Sequence, residues 1–139
     1  DVYKRQICYF IDDIYNLVNA LKRQSELIFI REKDYIQNPK PNGYRSFHVI
    51  IAVPVYYLDT MEYFPVEIQL RTMTMDLWAS MEHRVCYKKL PEHRDELAEA
   101  FCQYADILGK IEEQFEAYNE TGMLEEITPA QITENPTEG

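Results

Sequence analysis

Apolar positions recur along this chain with two periods, one helical and one of alternate residues. Ile7 to Phe10 is a short apolar run that reads as the end of a strand. Ile11, Ile14, Tyr15, Val18 and Leu21 then fall at helical spacing, with Asp12 and Asp13 placed to cap and charge the first turn. Residues 27–33 read as a strand rich in Ile and Phe. Residues 34–44 hold two Pro, two Asn and a Gly, which leave neither ladder nor helix, so a loop is predicted. A second strand is predicted over 47–57, with Pro54 marking an edge or an early end. A third follows over 63–72.

A helix is predicted from about Met73 to Lys89, with Leu77, Trp78, Met81 and Val85 on one stripe, and Leu90-Pro91 breaks it. A last helix runs from about Arg94 to Tyr118. Its apolar residues Leu97, Phe101, Tyr104, Leu108, Ile111, Phe115 and Tyr118 step by alternate fours and threes, the heptad seam of helix–helix association. Docking onto the domain's own helices fits that seam equally well. The polar stretch from about Thr121 carries Pro129 and Pro136 and reads as a flexible tail.

The third strand holds the sharpest signal. Val66, Ile68 and Leu70 alternate with Glu67, Gln69 and Arg71. Successive strand residues point to opposite faces, so one face is core and the other presents an acid, an amide and a guanidinium in a row. Such a face is commonly just solvated.

Charge divides the chain. It has 14 basic and 24 acidic residues, a net charge of -10. Residues 1–90 hold 12 basic and 11 acidic; residues 91–139 hold 2 and 13. Acidity belongs to the last third, and no dense basic face invites duplex DNA. At 139 residues and 46% hydrophobic, the chain suits one ordinary domain. No apolar run reaches the ~18 residues of a membrane span. Three Cys (Cys8, Cys86, Cys102) without CxxC spacing read as reduced thiols, hence a cytoplasmic location.

The loop residues suit a nucleotide. Lys33, Lys40 and Arg45 bring positive charge, Tyr44 a flat ring, and Asn42 a donor and an acceptor. Bases stack on such rings and lysines neutralise phosphates, though many surface loops share this composition. Glu67 suits either Mg²⁺ or the proton of an attacking hydroxyl. Arg71 suits a phosphate, and His48 either a phosphate or a structural partner. There is no Walker A sequence, no GxGxxG and no HExxH.

Taken together, KDYIQNPKPNGYRSFH and PVEIQLRTMTMDLWASMEHRVCYKK resemble the RelA/SpoT synthetase domain, the GTP pyrophosphokinases that make (p)ppGpp in the stringent response. The resemblance covers about Ile7 to Lys89. It implies an α+β fold, a nucleotidyltransferase-like mixed sheet flanked by helices. It also implies transfer of pyrophosphate from ATP to the 3′-hydroxyl of GTP or GDP with Mg²⁺, in a bacterial cytoplasm.

Carried over by position, Tyr44 would stack on guanine, and Lys33, Lys40, Asn42 and His48 would hold the acceptor nucleotide. Glu67 would be the catalytic, metal-linked carboxylate. Gln69, Arg71 and Ala79 would line the site, with Ala79 beside the base. The family's D-I-A-G-x-R segment, with its second metal-binding Asp, is replaced here by DVYKRQ. That string matches the translation of a transposon end used in sequencing libraries.

Residues 1–6 are therefore expected to be a non-native scar, and 7–90 the C-terminal part of a synthetase domain that is inactive alone. Residues 91–120 are expected to be an acidic helix, and 121–139 a tail. The short continuation resembles small alarmone synthetases, in which C-terminal helices assemble a homotetramer. The competing readings are a guanine-nucleotide-binding homologue without turnover and an acidic helical interaction protein.

Overall fold

The computed structural model describes residues 2–88 and 91–121; the expected tail beyond Thr121 lies outside them. The chain divides into two units, Asp1–Asn38 with Arg45–Met73, and Pro39–Tyr44 with Thr74–Gly139.

The first unit is a four-stranded mixed sheet and one helix. Its elements are β1 (Val2–Cys8), α1 (Ile11–Lys22), β2 (Ile28–Asp34), β3 (Phe47–Tyr57) and β4 (Thr60–Thr72). The spatial order is β1-β4-β3-β2. β1 runs parallel to β4, while β3 pairs antiparallel with both β2 and β4. The predicted elements stand near where the pattern put them, with two extensions and one earlier end: the first strand stops at Cys8, and Tyr9 and Phe10 lead into α1.

β4 begins at Thr60 rather than Tyr63, because a tight turn at Leu58 and Asp59 lets the ladder close at Tyr57↔Thr60. Leu58 takes a positive φ of 53°, the backbone such a hairpin requires. β1 begins at Val2, so residues set aside as a scar form a strand, Val2 to Cys8 opposite Val66 to Thr72. β3 runs through Pro54; β2 ends opposite Ala52, so Pro54 has no neighbour on that side.

Alternation decides what is buried. Phe47, Val49, Ile51 and Leu70 share one face of the sheet, all between 0% and 4% exposed. Ile14 and Val18 of α1 are buried with them, and the Tyr15 ring meets Phe47 edge-on at 5.9 Å. Asp13 accepts a hydrogen bond from the Phe10 N–H at 3.1 Å, which ties down the start of α1. Among the described residues no strand neighbours the β3–β4 hairpin past Ala52 and Val66, and Tyr56, Tyr57 and Leu58 at its tip are largely exposed.

The second unit holds loop 39–44, α2 (Met73–Cys86) and α3 (Pro91–Thr121). In both helices the packed face matches the predicted one only in part: Trp78 is buried, and Leu97, Phe101, Leu108 and Ile111 are half-buried. On α2, Met75, Trp78 and Cys86 are buried, while Leu77, Met81 and Val85 are exposed. On α3, Ala105 and Glu112 are buried, while Tyr104, Phe115 and Tyr118 of the heptad seam are 49%, 62% and 51% exposed. Small Ala105 allows a close approach, and Glu112 is tolerated because it accepts the Thr74 hydroxyl at 2.6 Å. Among the described residues no helix is long and apolar enough to cross a membrane.

One half-buried contact sets a pH dependence. The Tyr15 hydroxyl donates to Asp34 at 2.6 Å. Burial first, and the bonded Asp34 second, push the Tyr15 hydroxyl above its ordinary pKa of 10.0. The unfolded chain therefore loses this proton before the folded one does. The stability Tyr15 contributes is fully present below about pH 10 and is lost as pH rises above it. Urea unfolding across pH 8 to 11 is expected to show stability falling toward the alkaline end. In Tyr15→Phe that decline should be shallower.

Candidate functional site

In the first unit, the face of the sheet opposite the apolar core carries most of the expected site residues. Glu67, Gln69 and Arg71 lie on it by alternation along β4. Register adds the neighbours: His48 pairs with Gln69, and Lys33 pairs with His48. Lys33, His48 and Gln69 thus form one row across three strands.

Lys33 owes its place to a bulge. Phe29 pairs with Ile51 and Arg31 with Ile50, so Ile30 is an extra residue in β2. Simple alternation would put Lys33 on the same face as Phe29. The inserted residue reverses this and sends Lys33 to the polar face.

The row is bonded. The Tyr3 hydroxyl donates to Gln69 Oε1 at 2.5 Å, and Gln69 Nε2 lies 2.9 Å from His48 Nε2. An amide nitrogen only donates, so His48 accepts at Nε2 and carries its proton on Nδ1. Tyr35 meets the His48 ring edge-on at 5.3 Å. Gln69 and Arg71 are each 8% exposed, whereas Glu67 is open to solvent. An accessible carboxylate on a polar strand face is a hard oxygen donor, which suits a small divalent cation that keeps most of its other ligands as phosphate and water.

Asp34 ends β2 and starts the loop. One of its carboxylate oxygens accepts from the Ile36 and Gln37 N–H groups at 2.8 and 3.0 Å, an Asx turn. The other holds Tyr15.

The second unit contains the remaining candidates Lys40, Asn42, Tyr44 and Ala79. Here the loop is built by its own residues. Gly43 N donates to the Lys40 carbonyl at 2.9 Å, and Lys40 N to the Tyr44 carbonyl at 3.1 Å. The Asn42 side-chain oxygen accepts from the Tyr44 N–H at 3.0 Å. Asn42 therefore shapes the turn. Gly43 has φ +100°, a conformation that other residues rarely adopt. The result is a presented ring: Tyr44 has the Lys40 ammonium 5.0 Å from its centroid and the Trp78 ring 6.4 Å away. Ala79 follows Trp78 on α2 and is half-buried.

Three residues that contact or register with the candidates were not among those named from sequence. Tyr3, bonded to Gln69, and Arg5, in register with Gln69, were set aside with residues 1–6. Trp78, the single tryptophan, read as generic core. It packs beside Tyr44, and its Nε1–H donates to the Phe101 carbonyl at 2.8 Å. The three cysteines are free thiols. Burial, and then Asp13, push the Cys8 thiol up, which disfavours a nucleophilic thiolate.

A family model described as the region found in RelA / SpoT proteins matches residues 3–92. The GTP pyrophosphokinase YwaC of Bacillus subtilis (strain 168) is 47% identical over 110 residues, covering 79% of this chain and 52% of the relative. Among solved structures, small alarmone synthetase 2 from Bacillus subtilis superposes with a TM-score of 0.74 at 44% identity, over 84% of this chain and 63% of the other. Small alarmone synthetase 1 from the same species, bound to its product pppGpp, gives 0.72 at 28% identity, over 86% and 62%. The chain spans about half the length of the curated relatives it matches.

Proposed function

The chain belongs to the RelA/SpoT family, and from that premise we propose that it carries the acceptor-nucleotide and carboxylate residues of a GTP pyrophosphokinase. The observation that carries this reading is the bonded polar row on β4, within the first unit; within the second unit, the loop that presents Tyr44 supports it separately. Its pppGpp-bound structural neighbour supports the same substrate class.

In this reading the 3′-hydroxyl oxygen of GTP or GDP attacks the β-phosphorus of ATP. A new P–O bond forms, the bond from that phosphorus to the α–β bridging oxygen breaks, and AMP leaves. Glu67 takes the hydroxyl proton and offers an oxygen to Mg²⁺. The metal's contribution, when bound, is to neutralise phosphate charge. Tyr44 stacks on the guanine, with Ala79 beside it. Lys33, Lys40 and Arg71 meet phosphate oxygens, and His48, held by Gln69, helps hold the acceptor nucleotide. Asn42 acts mainly by holding Tyr44. Three free thiols suit a reducing cytoplasm.

The exposed Tyr104, Phe115 and Tyr118 on α3 support assembly into a homotetramer through C-terminal helices. Size exclusion with light scattering should give four times the chain mass. A monomer at micromolar concentration would overturn that assembly.

Thermal unfolding with each nucleotide tests the catalytic assignment. A ligand at 100 times its Kd adds about 2.7 kcal/mol to stability. GTP and GDP are expected to raise the midpoint, and Tyr44→Ala to abolish the rise. In Glu67→Gln the rise should persist, but its dependence on Mg²⁺ should weaken. No shift with either guanine nucleotide contradicts the proposal.

A further inference from the structure

Loop 39–44 lies against α3 without an intervening side chain. A Cβ placed on Gly43 would fall 2.9 Å from the Cys102 Cα, 3.1 Å from the Ala105 Cβ and 3.3 Å from the Phe101 carbonyl oxygen. Two of these three are backbone atoms of one helical turn, so neither side has a flexible group that can give way. Ala105 is 6% exposed, and its methyl fills the remaining space. One residue later the loop presents Tyr44.

A second contact binds the same turn of α3 to that ring. Trp78 is 6% exposed and sits between them. Its indole N–H donates to the Phe101 carbonyl at 2.8 Å. Its ring meets Phe101 edge-on at 6.5 Å and Tyr44 at 6.4 Å. Farther along, Glu112 of α3 accepts the Thr74 hydroxyl from the first turn of α2. The turn Phe101–Ala105 therefore touches the Tyr44 loop by two routes, through Gly43 directly and through Trp78.

We propose that this turn of α3 is the seat that positions Tyr44. Phe101 and Ala105 are positioning residues for guanine binding, and the packing of α3 and occupancy of the Tyr44 ring are thermodynamically linked. This rests on the reading of Tyr44 as the guanine-stacking residue. It gives the acidic C-terminal helix a role in substrate binding, separate from any role in assembly. A binding partner that shifts α3 changes nucleotide affinity, and the nucleotide stabilises α3 by the same factor.

The test is calorimetric titration of GDP into the full chain and three variants. Ala105→Leu places a larger side chain under Gly43 and should weaken GDP by about tenfold, the cost of a lost base stack. Gln103→Leu and Asn119→Ala, both at exposed positions of the same helix, should stay within about twofold of wild type. Far-UV circular dichroism checks that each variant folds.

Wild-type binding with Ala105→Leu unchanged overturns the positioning role alone. Absence of GDP binding to wild type overturns the reading of Tyr44, and this inference with it. Should Ala105→Leu fail to fold, hydrogen exchange on wild type decides. GDP should slow the amides of residues 101–109 more than those of 115–121. Equal slowing, or none, overturns the linkage.

Discussion

Strand β4 must pair on both sides, with β1 and with β3, while its two faces do opposite things. A strand reverses its facing at every residue, so a slip of one position would bury Glu67 and expose Leu70. Leu70 and Val49 have no exposed surface at all. The apolar face therefore locks the register, and the register places Gln69 beside His48 and His48 beside Lys33. The chemistry on the polar face is held by burial on the other. The loop is governed by a different constraint, the absence of a side chain at Gly43.

β2, β3, β4 and α1 were legible because their periods are strong and their neighbours are close in sequence. The alternation from Val66 to Arg71 gave both the core face and the site face. Lys33 was singled out as a charge beside the loop and again by the family resemblance, not from its place on the sheet. Its alternation alone pointed the wrong way, since a bulge at Ile30 leaves no mark in the pattern. Residues 1–6 were set aside because their string matches a transposon-end translation, so the strand they form beside β4, with Tyr3 bonded to Gln69, was not anticipated. Backbone hydrogen bonding to β4 asks little of side-chain identity, which is how such residues can complete a parallel pair.

The helices were harder. Heptad spacing correctly marked residues 97–118 as helical, but the side in contact is chosen by fit. Ala105 and Glu112 are buried because one is small and the other has the Thr74 hydroxyl. Tyr104, Phe115 and Tyr118 remain on the surface. A hydrophobicity pattern ranks side chains by how strongly they leave water. It says nothing about a glycine loop that needs a methyl-sized neighbour. The same blindness hid Trp78, whose importance lies in one N–H reaching the Phe101 carbonyl.

The central claim is that the Tyr44 loop recognises guanine. The most direct measurement is a ¹⁵N–¹H correlation titration of the chain with GDP, with ADP as the comparison. The account predicts saturable shifts at the Gly43 and Tyr44 amides and at the Trp78 indole N–H with GDP, and much weaker ones with ADP. Equal responses to the two nucleotides, or signals that do not move with GDP, would contradict it.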